Sequence, residues 1–183
     1  MTSADDRLVN VLGALALGLA DAMQAAIEEV SALTGAAPAA LVLLDDLLAG
    51  GSIDRLRRAV AVTPSGGVRI VDRLADAGLV RREPGVDGRS VAVELTAAGH
   101  ALASRVREAR AAAVQAALGG LSGAQRTRLT PLVDTMITAL VEQRLAERAA
   151  GEQPAGGYLC RLCDPAACGR ADGHCPAMDA ASD

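Results

Sequence analysis

The feature that most restricts this chain is the near absence of aromatic side chains: 183 residues contain no Phe, no Trp and a single tyrosine, Tyr158. Any core must be aliphatic, and Ala and Leu, which dominate it, are strong helix formers whose size lets helix axes approach closely. An apolar fraction of 51% excludes low-hydrophobicity disorder, and a chain of this length can bury the core of one domain plus an appendage. Helix packed on helix is the expected architecture.

Periodicity divides the chain. Leu8, Val11, Leu12, Leu15, Leu19, Met23, Ile27 and Val30 recur at steps of three and four, which predicts an amphipathic helix over 6–33. Gly13 and Gly18 each weaken that helix by about 1 kcal/mol against Ala, so it needs packing partners to persist. Thr34, Gly35 and Pro38 break the pattern, and a more buried helix is expected over 39–49, ending at Gly50 and Gly51. Ser52 caps a short helix to about Val60, and Thr63 with Pro64 opens another that stops at Gly78. Two short helices with so tight a link form the sequence image of a helix-turn-helix.

After Gly78 the period becomes alternating. Residues 79–83 and 90–95 predict two strands joined by a turn-rich tip over 84–89, a hairpin wing. Thr96 and Ser122 then cap long helices over 97–118 and 123–149, with a bend expected at Pro131. Val68, Val71 and Leu74 read as core, and His100 as structural or exposed. The uncharged stretches 8–20, 30–44 and 111–125 fall short of the roughly 20 residues a membrane span requires. The acidic start, with Asp5 and Asp6, is unlike a secretory signal, so a cytoplasmic protein with no membrane partner is expected.

Charge is unevenly spread. The whole chain carries −4, yet residues 52–107 hold ten arginines against six acids, a local +4, and the remainder carries −8. Arg55, Arg57, Arg58, Arg69, Arg73, Arg81, Arg82 and Arg89 could neutralise phosphates and release counterions, the main sequence-independent source of affinity for DNA. Arg73 beside Asp72 and Asp76 could equally be surface pairing.

The stretch 52–99 resembles the winged helix of the MarR family of bacterial transcription regulators. The resemblance rests on the run from Val62 to Leu74 (VTPSGGVRIVDRL), on Gly78-Leu79-Val80, on the Asp87-Gly88-Arg89 tip and on Leu95-Thr96-Ala97-Ala98-Gly99. The helical pattern extends the likeness to about Arg148. It implies a mainly α fold: a winged helix-turn-helix of three short helices plus a two-stranded β-wing, flanked by dimerisation helices. The expected division is 1–35 for the N-terminal dimerisation helix, 36–99 for the DNA-binding domain, 100–149 for the C-terminal dimerisation helices and 150–183 for a linker and cysteine-rich tail.

The resemblance also implies a homodimeric repressor, without enzymatic activity, that sets two recognition helices on a pseudo-palindromic operator in double-stranded DNA. Residues 63–77 would enter the major groove and Arg89 the minor groove, with Asp87 ordering the wing turn. Thr63, Ser65, Gly66, Gly67, Arg69, Arg73 and Arg89 are the DNA-facing candidates. Ser65 and Arg69 lie one helical turn apart, Gly66 and Gly67 would let backbone approach phosphate, and arginine suits a narrow minor groove.

The tail lies outside the family pattern. Its spacing, Cys160-x2-Cys163-x4-Cys168-x6-Cys175, brings two thiolates to one metal and closes the site through turns at Pro165, Gly169 and Gly173. Zinc held by four cysteines, or by three with His174, is one expectation. An iron-sulfur cluster is another, since Cys175-Pro176 resembles a bacterial ferredoxin ending although the other spacings differ. A thiol switch between Cys160 and Cys163 is a third. Sensing of redox or metal status by this tail is the leading reading. The alternatives are a dithiol oxidoreductase using Cys160 and Cys163, which lacks a βαβ frame around the pair, and a repressor with a purely structural zinc knot and a small-molecule effector.

Overall fold

The computed structural model describes residues 3–85, 91–152 and 155–181. Helix α1 (Ala4–Ser31) opens on a capping box: the Asp6 amide donates to the Ser3 hydroxyl while the Ser3 amide donates to the Asp6 carboxylate. Helix α2 (Ala37–Asp45) starts earlier and ends sooner than the sequence suggested. Pro38 falls in its first turn, where no amide hydrogen is needed, so it begins this helix instead of separating it from the last. The chain then turns back as the Leu48 amide donates to the Leu43 carbonyl at 2.8 Å.

Ser52 caps α3 (Ile53–Ala59) and Thr63 caps α4 (Pro64–Asp76), each hydroxyl accepting from the amide three residues on. The wing follows as antiparallel β1 (Val80–Pro84) and β2 (Val91–Leu95), with Val80 opposite Leu95 and Pro84 opposite Val91. Thr96 caps α5 (Ala97–Leu118), and Ser122 with Gln125 forms a second capping box on α6 (Gly123–Ala149). Pro131 does not end α6, which continues for about five further turns. The tail adds a 3-10 turn at Arg170–Asp172 and a single-turn helix, α7 (Pro176–Asp179). The architecture is mainly helical with a two-stranded sheet, as expected.

The core is aliphatic and centres on α2, every residue of which from Ala37 to Leu44 is buried. Leu41, Leu43 and Leu44 meet Leu56 of α3, Val71 and Leu74 of α4, Val93 of β2 and Ala103 of α5. Burying each such side chain contributes roughly 1.5–3 kcal/mol. An α2 that is apolar all round has no solvent face, which explains why the winged helix wraps it.

The outer helices are different. α1 packs along α5 yet leaves Leu8, Val9, Leu15 and Leu17 exposed, and α6 buries no residue while exposing Leu132, Met136 and Leu140. α1 is also long and apolar enough to cross a membrane by length and composition. That corrects the expectation drawn from uncharged stretches: Asp21 ended the count at residue 20, although it is the lone charge between Arg7 and Glu28.

Candidate nucleic-acid interface and cysteine site

The outward side of α4 carries Ser65, Val68, Arg69 and Arg73. Thr63 is occupied as the N-cap, its Oγ1 accepting from the Gly66 amide at 3.1 Å and lying 3.3 Å from Ser65 Oγ. Gly66 is partly exposed. Gly67 is buried, and a Cβ there would come 2.8 Å from Cβ of Arg57, so its missing side chain serves the crossing of α3 and α4. Val71 and Leu74 are core, as expected, whereas Val68 is 44% exposed and faces outward. The valine spacing had placed it inside. α4 turns 300° from Val68 to Val71, enough to carry Val68 off the buried stripe at this helix's orientation.

Ion pairing sorts the arginines. Arg57 and Arg58 both pair with Asp54, Arg81 with Glu83 and Glu94, and Arg82 with Asp72. Asp72 is therefore engaged by the wing and not by Arg73, which donates instead to Thr34 Oγ1 at 3.4 Å. Arg69 donates to the Ser65 carbonyl at 3.3 Å. Among the described residues, Arg55, Arg69 and Arg73 are the helix-turn-helix arginines with no carboxylate partner. Arg55 was not singled out among the DNA-facing candidates. Its signal was the one-residue offset from Asp54, which a helix cannot bridge, whereas Arg57 and Arg58 at three and four residues can be reached. Asp87 and Arg89, the wing-tip candidates, lie outside the described residues.

Asp45 at the end of α2 joins His100 and Arg107 of α5. Burial alone would raise the Asp45 carboxyl, but the hydrogen bonds and charges of Arg107 and His100 outweigh it and hold it below its ordinary value. His100 is thus a structural partner, fastening α5 to α2.

All four cysteines of the tail line one cavity of about 270 Å³, with Leu43 and Asp46 from the α2 end, Arg110 from α5 and Ile137 from α6. Cys175 is buried and the other three are half-buried. The Cys163 amide donates to the Cys160 carbonyl at 2.9 Å, a turn that sets both thiols on one side. Burial pushes the Cys163 thiol up, as do Cys160, Cys168 and Cys175, with Arg110 opposing. Burial likewise raises Cys168, helped by Cys175. Among the described residues no three His, Cys, Asp or Glu side chains close on a common metal position, so the thiols surround the cavity without converging on a point. His174 is exposed and does not line it.

Known structures share this fold. The MarR-family protein Rv2887 of Mycobacterium tuberculosis, solved in complex with DNA, is 27% identical, with a TM-score of 0.57 over 70% of this chain and 96% of that one. A MarR-family transcriptional regulator from Rhodococcus sp. RHA1 is 22% identical, with a TM-score of 0.59 over 76% and 97%. Wild-type MarR of Escherichia coli in its apo form is 22% identical, with a TM-score of 0.55 over 68% and 96%. No family sequence profile and no curated protein matches the chain. The fold is that of a winged-helix transcriptional regulator. The chain shares the winged-helix fold of these MarR-family structures.

Proposed function

We propose that this protein is a cytoplasmic, homodimeric DNA-binding repressor whose cysteine tail holds zinc or an iron-sulfur cluster and reports metal or redox status. The observation that carries the DNA-binding part is the face of α4: Ser65, Val68, Arg69 and Arg73 point outward, and both arginines lack a carboxylate partner among the described residues. Arginine supplies phosphate neutralisation or bidentate contact to guanine, and an exposed valine suits a thymine methyl. The Rv2887 relative was solved with DNA bound, which supports the same use of the fold here.

Dimerisation accounts for the exposed leucines of α1 and α6, since apolar stripes of this extent on a monomer mark an interaction surface. The packing of α1 along α5 favours a second copy over lipid as its cover. The metal reading rests on the donor chemistry, four thiols around one cavity with Arg110 and Arg170 to balance thiolate charge.

Titration of labelled DNA from upstream of the protein's own gene tests the proposal. Affinity should fall steeply with salt, and Arg69→Ala should lower it and reduce the slope of log K against log salt by about 0.9 for a lost phosphate contact. Salt-independent binding, or an unaltered Arg69→Ala variant, overturns the assignment of α4.

A further inference from the structure

The segment that follows α6 returns to the helix-turn-helix. The Tyr158 amide donates to the carbonyl of Ala59, the last residue of α3, at 2.7 Å. Gly157 makes this approach possible: at φ +68°, a Cβ would sit 2.4 Å from the Ala59 oxygen. The Gly157 carbonyl accepts from Arg144 of α6 at 2.5 Å, so one residue bridges α3 and α6. Further along, Arg170 pairs with Asp46, just beyond α2, at 3.0 Å. The C-terminal end of α6 is thereby held beside the link between α3 and α4.

A groove of about 770 Å³ lies at this meeting, lined by Arg57, Arg58, Thr63 and Pro64 of the helix-turn-helix and by Arg148 and Tyr158. Its charge is positive. Arg57 and Arg58 share the single carboxylate of Asp54, which leaves one of their two charges unbalanced. Arg148 is exposed and has no carboxylate partner among the described residues, and its guanidinium lies 6.0 Å from the centre of the Tyr158 ring. Glu152 lines the same groove and pairs with none of the three arginines. The first turn of α4 adds the positive end of its dipole. An arginine already resting on a ring loses less freedom when it meets an anion than one that is free in solvent.

We infer, resting on the DNA-binding reading above, that this groove is a second seat for the DNA backbone, in which Arg148, held by Tyr158, meets a phosphate beside the bases that α4 contacts. Position favours a duplex as the occupant. Pro64 is both the first residue of the recognition helix and part of the groove wall, so a strand leaving the major groove at that end of α4 runs into the groove. Charge favours it too, because duplex DNA carries one negative charge about every 1.7 Å of its axis and can engage α4 and Arg148 together. The tail then has a task in DNA binding that needs no ligand of its own: the Gly157-Tyr158 step sets the arginine in place.

The experiment titrates the full-length protein, across a range of salt, against a labelled duplex from upstream of its own gene and a scrambled duplex of equal length. Arg148→Ala should weaken binding to both duplexes by the same factor, roughly three- to ten-fold near 0.1 M salt, and lower the slope of log K against log salt by about 0.9. Arg148→Lys should keep the slope, since a phosphate contact needs only the charge. Arg128→Ala removes the same charge from α6 twenty residues earlier, about 30 Å of helix away, and should leave the slope unchanged. An Arg148→Ala variant with the affinity and slope of the parent overturns the groove assignment. So does a loss that Arg128→Ala matches, which would report net charge alone, and so does a loss confined to the upstream duplex, which would mean a base contact. If the parent binds neither duplex, the DNA-binding reading itself falls. If Arg69→Ala weakens binding and Arg148→Ala does not, the α4 reading stands and the groove alone is lost.

Discussion

The winged-helix core and the cysteine tail are held together by opposite means. Around α2 nearly every side chain is apolar and buried, and its order follows from removing aliphatic surface from water. Among its described residues the tail hides one cysteine and one glycine, and what holds it is a few contacts to other elements. A region stabilised by burial keeps its shape whatever its surroundings supply. A region with so little buried surface leans on its few contacts to neighbouring elements.

That contrast breaks most sharply in the core. Leu41 is fully buried at the centre of α2, and Leu41→Ala should cost about 2–5 kcal/mol through lost transfer energy and a residual cavity, read as a lower midpoint in urea unfolding. Next in size is the polar link between α2 and α5. Asp45→Asn leaves Arg107, only 14% exposed, without its countercharge, and should cost about 3 kcal/mol. The Asp45 carboxyl sits below its ordinary value of 3.8, so its contribution is present above that pH and is lost as pH falls through the lower folded-state value. The Asp45→Asn variant should lack that acid-side loss, which paired urea titrations above and below pH 4 would detect. The smallest effect belongs to the tail: Cys168→Ser should move the unfolding midpoint of the core by less than about 0.5 kcal/mol while lowering metal content. A large shift there would mean that the two regions share one cooperative unit.

Much of the fold was legible because its signals are local. Ser52, Thr63, Thr96 and Ser122 each cap the helix that sequence spacing assigned to them, and the change of period after Gly78 marks the wing. What escaped depends on where elements meet. The exposure of Val68 depends on how α4 rolls against α3, and the burial of Gly67 at that crossing follows from the same roll. Arg82 finds Asp72 only because the wing folds back onto α4. The metal-ligand spacing of the tail could be read in the chain, but its docking on Ala59 and Asp46 leaves no periodic trace, since single contacts between distant segments carry no pattern. His174, next to Cys175 in sequence, points to solvent for the same reason.

The uncovered leucines of α1 and α6 carry a consequence for control by amount. If two chains must meet to cover Leu8, Leu17 and Leu132, the population able to grip both half-sites rises as the square of the chain concentration while monomers predominate. A cell holding few copies would then find its regulator silent well before it ran out of it, and a modest rise in synthesis would switch operator occupancy over a narrow range.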